Sequence, residues 1–234
     1  MENGKLKVAA IVPAYNEEQR IAAVLEAIER ADLVDEIVVV SDGSTDRTYE
    51  VAAANPRVRA LRLEANGGKA GAMCAGAAAT EADVLLFLDA DLIKLKPEHV
   101  NALVGPVLNG DTDMSVGVFR GGRSVTDWAQ ILVPYISGQR ALRRDVFVAI
   151  PELNALRSGV EMAITKYFNV TGLKVKSVIL SGVTHPMKEE KIGLIHGFTA
   201  RMRMYYDISR VMTNGKAIVA AARQARETLR AGKK

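Results

Sequence analysis

Two carboxylates one residue apart, Asp89 and Asp91, directly follow the apolar run Val84–Leu88. At the end of a buried strand such a pair repels itself unless a cation is near. Hard oxygen donors in this number suit Mg2+ or Mn2+, which proteins usually hold with one or two carboxylates plus substrate phosphates. A pair of plain turn aspartates is the competing reading. Three earlier polar segments also follow apolar runs. Pro13-Ala14-Tyr15-Asn16-Glu17-Glu18 comes first. In Ser41-Asp42-Gly43-Ser44-Thr45, Asp42 can accept hydrogen bonds from a base or ribose, and Ser44 or Thr45 can cap the next helix. A turn with a cap and nothing more would look the same. In Asn66-Gly67-Gly68-Lys69, paired glycines at a helix start offer backbone N–H groups to an anion, and Lys69 adds a point charge suited to phosphate. No glycine-rich dinucleotide turn follows the first apolar run, and Gly67-Gly68-Lys69 lacks the rest of a Walker A motif.

These segments need a scaffold, and the hydrophobic pattern supplies one. Lys7–Pro13, Glu36–Val40, Val58–Leu63, Val84–Leu88 and Asp113–Phe119 read as strands. Between them Glu17–Ala31, Thr45–Ala54, Lys69–Ala79 and Pro97 to about Leu108 read as helices. Strand and helix alternating at this spacing predict a mainly parallel sheet covered on both faces. Ligands of such sheets bind beyond the carboxyl ends of the strands, where the four polar segments fall. Farther on, Asp127–Ile136, Ala141–Ala149 and Glu161–Phe168 read as helices and Leu173–Leu180 as a strand. Lys191–Val211 and Gly215–Leu229 read as amphipathic helices, with a flexible turn at Gly121–Ser124. His99 sits in a surface-helix pattern.

In order and spacing, the four segments resemble the family-2 glycosyltransferases of the GT-A fold. The carriers are Val-Pro-Ala-Tyr-Asn-Glu-Glu, Asp-Gly-Ser-Thr-Asp-Arg-Thr, Asn-Gly-Gly-Lys-Ala-Gly-Ala and Asp-Ala-Asp. The resemblance spans residues 7 to about 170. It implies an α/β, GT-A-type single domain with a helical C-terminal extension. It implies that Pro13, Ala14, Tyr15 and Glu17 line a nucleotide pocket, with Asp42 on the base or ribose. Gly68 and Lys69 would lie near the diphosphate, and Asp89 and Asp91 would form the DxD motif holding ribose and a divalent metal. Ser137-Gly138-Gln139-Arg140-Ala141-Leu142-Arg143-Arg144 resembles a segment of dolichyl- and polyprenyl-phosphate sugar transferases. Its arginines, Arg140 first, would bind an anionic acceptor or the diphosphate, which a planar guanidinium fork suits. Gly159-Val160-Glu161 resembles a segment of these enzymes and of glucosyl-3-phosphoglycerate synthases. Glu161 would orient the acceptor or act as base, or would simply favour a helix N-terminus. His185 resembles the late histidine that joins the DxD motif at the metal in several GT-A enzymes, although a lone histidine is often structural.

Composition narrows the partners. The 234 residues carry 31 Lys+Arg against 27 Asp+Glu and a single cysteine, so no internal disulfide framework exists and a reducing compartment fits. No signal peptide and no spanning segment is visible. From residue 186 onward the count is 11 Lys+Arg against 4 Asp+Glu, which leaves the body mildly acidic. That basic end suits an anionic partner, a lipid surface included, or is a solvated helix face. The expectation is a glycosyltransferase domain over residues 1–190, with a nucleotide-sugar half (1–120) and an acceptor half (121–190). A basic helical extension follows over 191–234. The expected reaction moves a sugar from a UDP- or GDP-linked donor to a small anionic acceptor, using Mg2+ or Mn2+. Transfer to a polyprenyl phosphate is the alternative; a nucleotidyltransferase or a nucleotide-sugar-binding protein ranks lower. Cytoplasmic location, peripheral membrane contact, homodimerisation and no nucleic-acid partner complete the expectation.

Overall fold

The computed structural model describes residues 5–120, 137–156, 159–186 and 216–231. The strands are β1 (Val8–Ala14), β2 (Glu36–Asp42), β3 (Val58–Leu63), β4 (Val84–Phe87), β5 (Met114–Arg120), β6 (Arg140–Arg143) and β7 (Val175–Ser181). The helices are α1 (Ile21–Glu29), α2 (Thr48–Ala53), α3 (Lys69–Ala78), α4 (Pro97–Leu108), α5 (Arg144–Val148), α6 (Val160–Thr171) and α7 (Lys216–Ala231). One sheet of seven strands runs in the order β3-β2-β1-β4-β6-β5-β7. Only β6 is antiparallel to its neighbours, β4 and β5. The expected α/β domain with a mainly parallel sheet is what forms.

Alternate residues of each central strand serve opposite faces, and both faces are apolar, as a sheet covered on both sides requires. Ile11, Val38, Val40, Leu85, Phe87 and Leu142 point to one core, which α3, α6 and α7 close. Val12, Val39, Leu86, Leu88 and Ala141 point to the other, closed by α1 and α4. Helix α7, from the basic end of the chain, buries Ile218 and Ala222 in the first core. Among the described residues no helix is long and apolar enough to cross a membrane.

Three expectations need correction. Ala141–Ala149 is not one helix: Arg140–Arg143 is a strand and only Arg144–Val148 is helical. The slot between β4 and β5 offers two open ladders, and pairing on both sides outweighs the helix preference of Ala, Leu and Arg. Helix α1 starts at Ile21 rather than Glu17, because Asn16 is left-handed (φ 55°) and the N–H groups of Glu17 and Glu18 bond to the next loop. His99 is buried, and its Nδ1 accepts from the Lys96 N–H at the start of α4. The turn at Gly121–Ser124 and the helices at Asp127–Ile136 and Lys191–Val211 lie outside the described residues.

Gly76 shows how closely α3 sits on the sheet. A Cβ there would collide with Ile11 Cγ2 and come within 3.3 Å of Val40 Cγ2. Gly76→Val overpacks this contact and is expected to cost about 1–3 kcal/mol, or roughly 2–12 °C in melting temperature. An unchanged thermal melt would show that the layer spacing can adjust.

Candidate active site

At the carboxyl edge of the sheet, side chains knit the loops together. Asn16 accepts at Oδ1 from the Thr45 N–H (2.8 Å), and its own N–H donates to Ser44 Oγ (3.2 Å). Thr48 Oγ1 accepts from the Glu17 N–H (2.8 Å), and Glu18 Oε2 accepts from the Arg47 N–H (2.9 Å). Ser44 and Thr45 thus bind the loop after β1 rather than cap α2, whose start is served by Asp46 Oδ1 accepting from the Thr48 N–H (3.0 Å). The lacing presents Tyr15 to solvent, 48% exposed, beside Pro13 and the buried Ala14.

The next loop is held by Asp42. Its buried carboxylate accepts from the N–H groups of Gly67 (2.8 Å) and Gly68 (2.9 Å). The glycine N–H groups expected to face a phosphate therefore face an internal carboxylate. Gly68 has φ 88°, a conformation that glycine adopts without strain, and the next residue is Lys69, the first of α3.

Lys69 is the hub of the site. Its Nζ lies 2.5 Å from Asp89 Oδ1 and 2.7 Å from Glu161 Oε1, the acid in the first turn of α6. Burial works against the lysine's charge, but the attraction of Asp89 and Glu161 is stronger and holds its pKa above the ordinary value. Burial likewise penalises the Asp89 carboxylate. Lys69 outweighs that penalty, with help from His185 and against the repulsion of Asp91, and the Asp89 pKa ends below its ordinary value. His185 Nδ1 is 3.0 Å from Asp91 Oδ1, and its Nε2 is 3.8 Å from Asp89 Oδ2. An antiparallel bridge between Ile93 and Thr184 brings the histidine there, and Phe119 meets the ring edge-on at 5.0 Å. Ligand atoms of Asp89, Asp91 and His185 lie within 4.8 Å of one another. Two carboxylates and one imidazole at this separation fit a divalent cation of the Mg2+ or Mn2+ kind.

Arg140 is placed differently from its expected role. It is fully buried, donating from Nη1 to the Glu161 carbonyl (3.2 Å) and from Nη2 to the Ser137 carbonyl. Burial draws its pKa down to about 10, against the pull of Glu161 and Asp89. Its guanidinium is held inside the fold by these two carbonyls and reaches no solvent. Arg143 and Arg144 lie at the opposite end of the strand, where Arg143 is in register with Val84 and they pair with Asp145 and Glu81. Asp89, Asp91 and Lys69, which residue type pointed to, and Glu161 and His185, which the resemblance pointed to, come together. Gln139 was missed: it is wholly buried and donates from Nε2 to Asp89 Oδ2 at 2.7 Å. In the sequence it stands only as one residue of the Ser137–Arg144 segment; the structure sets it next to Gly138, where a Cβ would fall 2.6 Å from Asp89 Oδ2.

The model of glycosyl transferase family 2 matches residues 9–164, and the chain belongs to this family. A glucosyl-3-phosphoglycerate synthase of Mycobacterium tuberculosis is 38% identical over 112 residues, covering 44% of this chain and 35% of the relative. The chain thus spans about a third of the length of the first curated relatives it matches. A dolichol-phosphate mannosyltransferase of Pyrococcus furiosus is 31% identical over 187 residues, covering 68% of this chain and 52% of the relative. The crystal structure of the Mycobacterium tuberculosis synthase in complex with Mn2+ and uridine-diphosphate-glucose superposes with TM-score 0.70. It shares 28% identity and covers 88% of this chain and 78% of that one.

Lys69→Met leaves the Asp89 and Glu161 carboxylates without their shared cation and is expected to cost roughly 3–5 kcal/mol near neutral pH. The pair's contribution is complete above the ordinary Asp value of 3.8 and below the ordinary Lys value of 10.5. It is lost as pH falls through the lowered Asp89 value or rises through the raised Lys69 value. In denaturant titrations the gap between wild type and variant should therefore narrow on going from neutral pH to about pH 2.5. A gap of equal size at both would refute the ion-pair account.

Proposed function

We propose that this family-2 chain is a metal-dependent nucleotide-sugar transferase, acting on a small anionic acceptor as a glucosyl-3-phosphoglycerate synthase would. The observation that carries the reading is the Asp89, Asp91 and His185 cluster beside Lys69 at the carboxyl edge of the sheet. The complex of the similar synthase with Mn2+ and uridine-diphosphate-glucose supports it and favours UDP over GDP. In the transfer, the bond from the anomeric carbon to the diphosphate oxygen breaks, its electrons going to the diphosphate, while the oxygen of an acceptor hydroxyl bonds to that carbon and its proton passes to the Glu161 carboxylate.

Asp89, Asp91 and His185 would hold the ion. A bound Mg2+ or Mn2+ supplies positive charge against the departing diphosphate. An ammonium has three donors; Lys69 gives two to Asp89 and Glu161, and the third suits a phosphate oxygen as charge builds there. Glu161 turns one carboxylate oxygen to Lys69 and can offer the other to a sugar or acceptor hydroxyl. Pro13, Ala14, Tyr15 and Glu17 would line the nucleotide, with Asp42 acting through the loop it fastens.

Transfer to a polyprenyl phosphate is the second reading, favoured by the longer match to the mannosyltransferase. Two observations weigh against it. Arg143 and Arg144 sit away from the site, and α7 spends its apolar stripe on the domain core. The first reading goes with a cytoplasmic location and a homodimer that need no lipid; peripheral membrane contact belongs to the second.

Calorimetry with UDP and GDP, each with Mn2+ and with EDTA, tests the donor half. UDP binding that requires Mn2+ is expected, followed by turnover of UDP-glucose with 3-phosphoglycerate. Asp91→Ala should lower that turnover by more than the roughly 10–100-fold that outer partners of metal ligands contribute. Wild-type activity in Asp91→Ala, or binding indifferent to EDTA, would overturn the reading.

A further inference from the structure

Asp89 is clamped from two sides. Lys69 takes Oδ1, and the Gln139 amide takes Oδ2 at 2.7 Å. An ionised carboxylate only accepts, so the nitrogen end of the Gln139 amide must face it. The other end meets Ser137. Its one hydroxyl proton has two acceptors in reach, Gln139 Oε1 at 3.0 Å and the Gly117 carbonyl at 2.6 Å. The Gly117 N–H returns a bond to the Gln139 carbonyl at 2.8 Å.

Room for this arrangement comes from Gly117. A Cβ there would lie 3.1 Å from Gln139 Cβ and 2.6 Å from Leu180 Cδ1. Gln139 and Ser137 are both buried, at 0% and 8% exposure, where an unpaired amide or hydroxyl is costly. Their polar groups form one connected set, from β5 through Ser137 and Gln139 to the carboxylate.

We propose that Gln139 is the positioning residue for the metal site: it sets the rotation of the Asp89 carboxylate, so that its remaining lone pairs face Asp91 and His185. This role rests on the metal-dependent reading above. A carboxylate held by Lys69 alone can turn about its terminal bond, a broad and soft rotation. A second donor on Oδ2 removes that freedom before the cation arrives. Outer partners of this type typically alter metal affinity 10–100-fold.

The test is Gln139→Met, which keeps an unbranched side chain and removes the amide. Mn2+ affinity is read from the free-ion electron paramagnetic resonance signal in the presence of UDP, with thermal melting alongside. The expected result is Mn2+ binding weakened about 10–100-fold in folded protein. Should Gln139→Met fail to fold, Ser137→Ala, which releases the far end of the amide, is read in its place and should weaken Mn2+ binding in the same direction. Mn2+ affinity within about twofold of wild type in the folded variant overturns the proposal. Wild-type protein that binds no Mn2+ overturns the metal-dependent reading itself, and with it this role. Those two failures are told apart by the wild-type measurement alone.

Discussion

Three carboxylates, Asp89, Asp91 and Glu161, converge where a buried sheet meets solvent, and that concentration of negative charge is the constraint the rest obeys. Like charges so placed cannot all stay ionised without cations close by. Lys69 answers for two of them from the first turn of α3. His185 stands against the third, carried there by the bridge between Ile93 and Thr184. Arg140 lies beneath, bonded to carbonyls and close enough to pull on Asp89 and Glu161. Lys69 and Arg140 therefore balance part of this charge from within, and ligand atoms of Asp89, Asp91 and His185 are left within 4.8 Å of one another.

The position of Lys69 depends on a second carboxylate chemistry one layer away. Asp42 bonds the N–H groups of Gly67 and Gly68 and so fixes where α3 begins. The loop that follows Asp42 is tied in turn to the loop after β1 by Asn16, Ser44 and Thr48. Residues that resemble nucleotide contacts thus also form the frame on which the reactive edge is assembled. Backbone groups satisfied by side chains are what keep such irregular loops ordered at a buried edge.

The antiparallel strand β6 completes the arrangement. Running against its neighbours, it begins at the carboxyl edge of the parallel strands, so Gln139 and Arg140 reach the site from the start of a strand, whereas Asp89 and Asp91 follow the end of theirs. Membership of glycosyl transferase family 2 is consistent with this plan, as is the superposition on a synthase holding Mn2+ and uridine-diphosphate-glucose. The start of β6 has a structural reason to be polar: Gln139, just before it, reaches the Asp89 carboxylate inside the fold.

The sequence by itself determined the alternation of strands and helices, the parallel sheet and the polar segments at its carboxyl edge. Those follow from local periodicity, since a doubly covered strand must be apolar on both faces. It also singled out Asp89, Asp91 and Lys69, because closely spaced acids and a lysine after a glycine pair are legible one segment at a time, while Glu161 and His185 stood out through the family resemblance. Only the tertiary structure decided that Arg140–Arg143 is a strand, since the two ladders that claim it come from residues distant in the chain. Only the tertiary structure separated Arg140, buried among carbonyls, from Arg143 and Arg144 at the far end of the same strand. It alone turned Asp42 inward to the glycine loop and Gln139 onto Asp89. Which partner a buried polar group meets is set by the packing of segments far apart in sequence, and no local pattern records it.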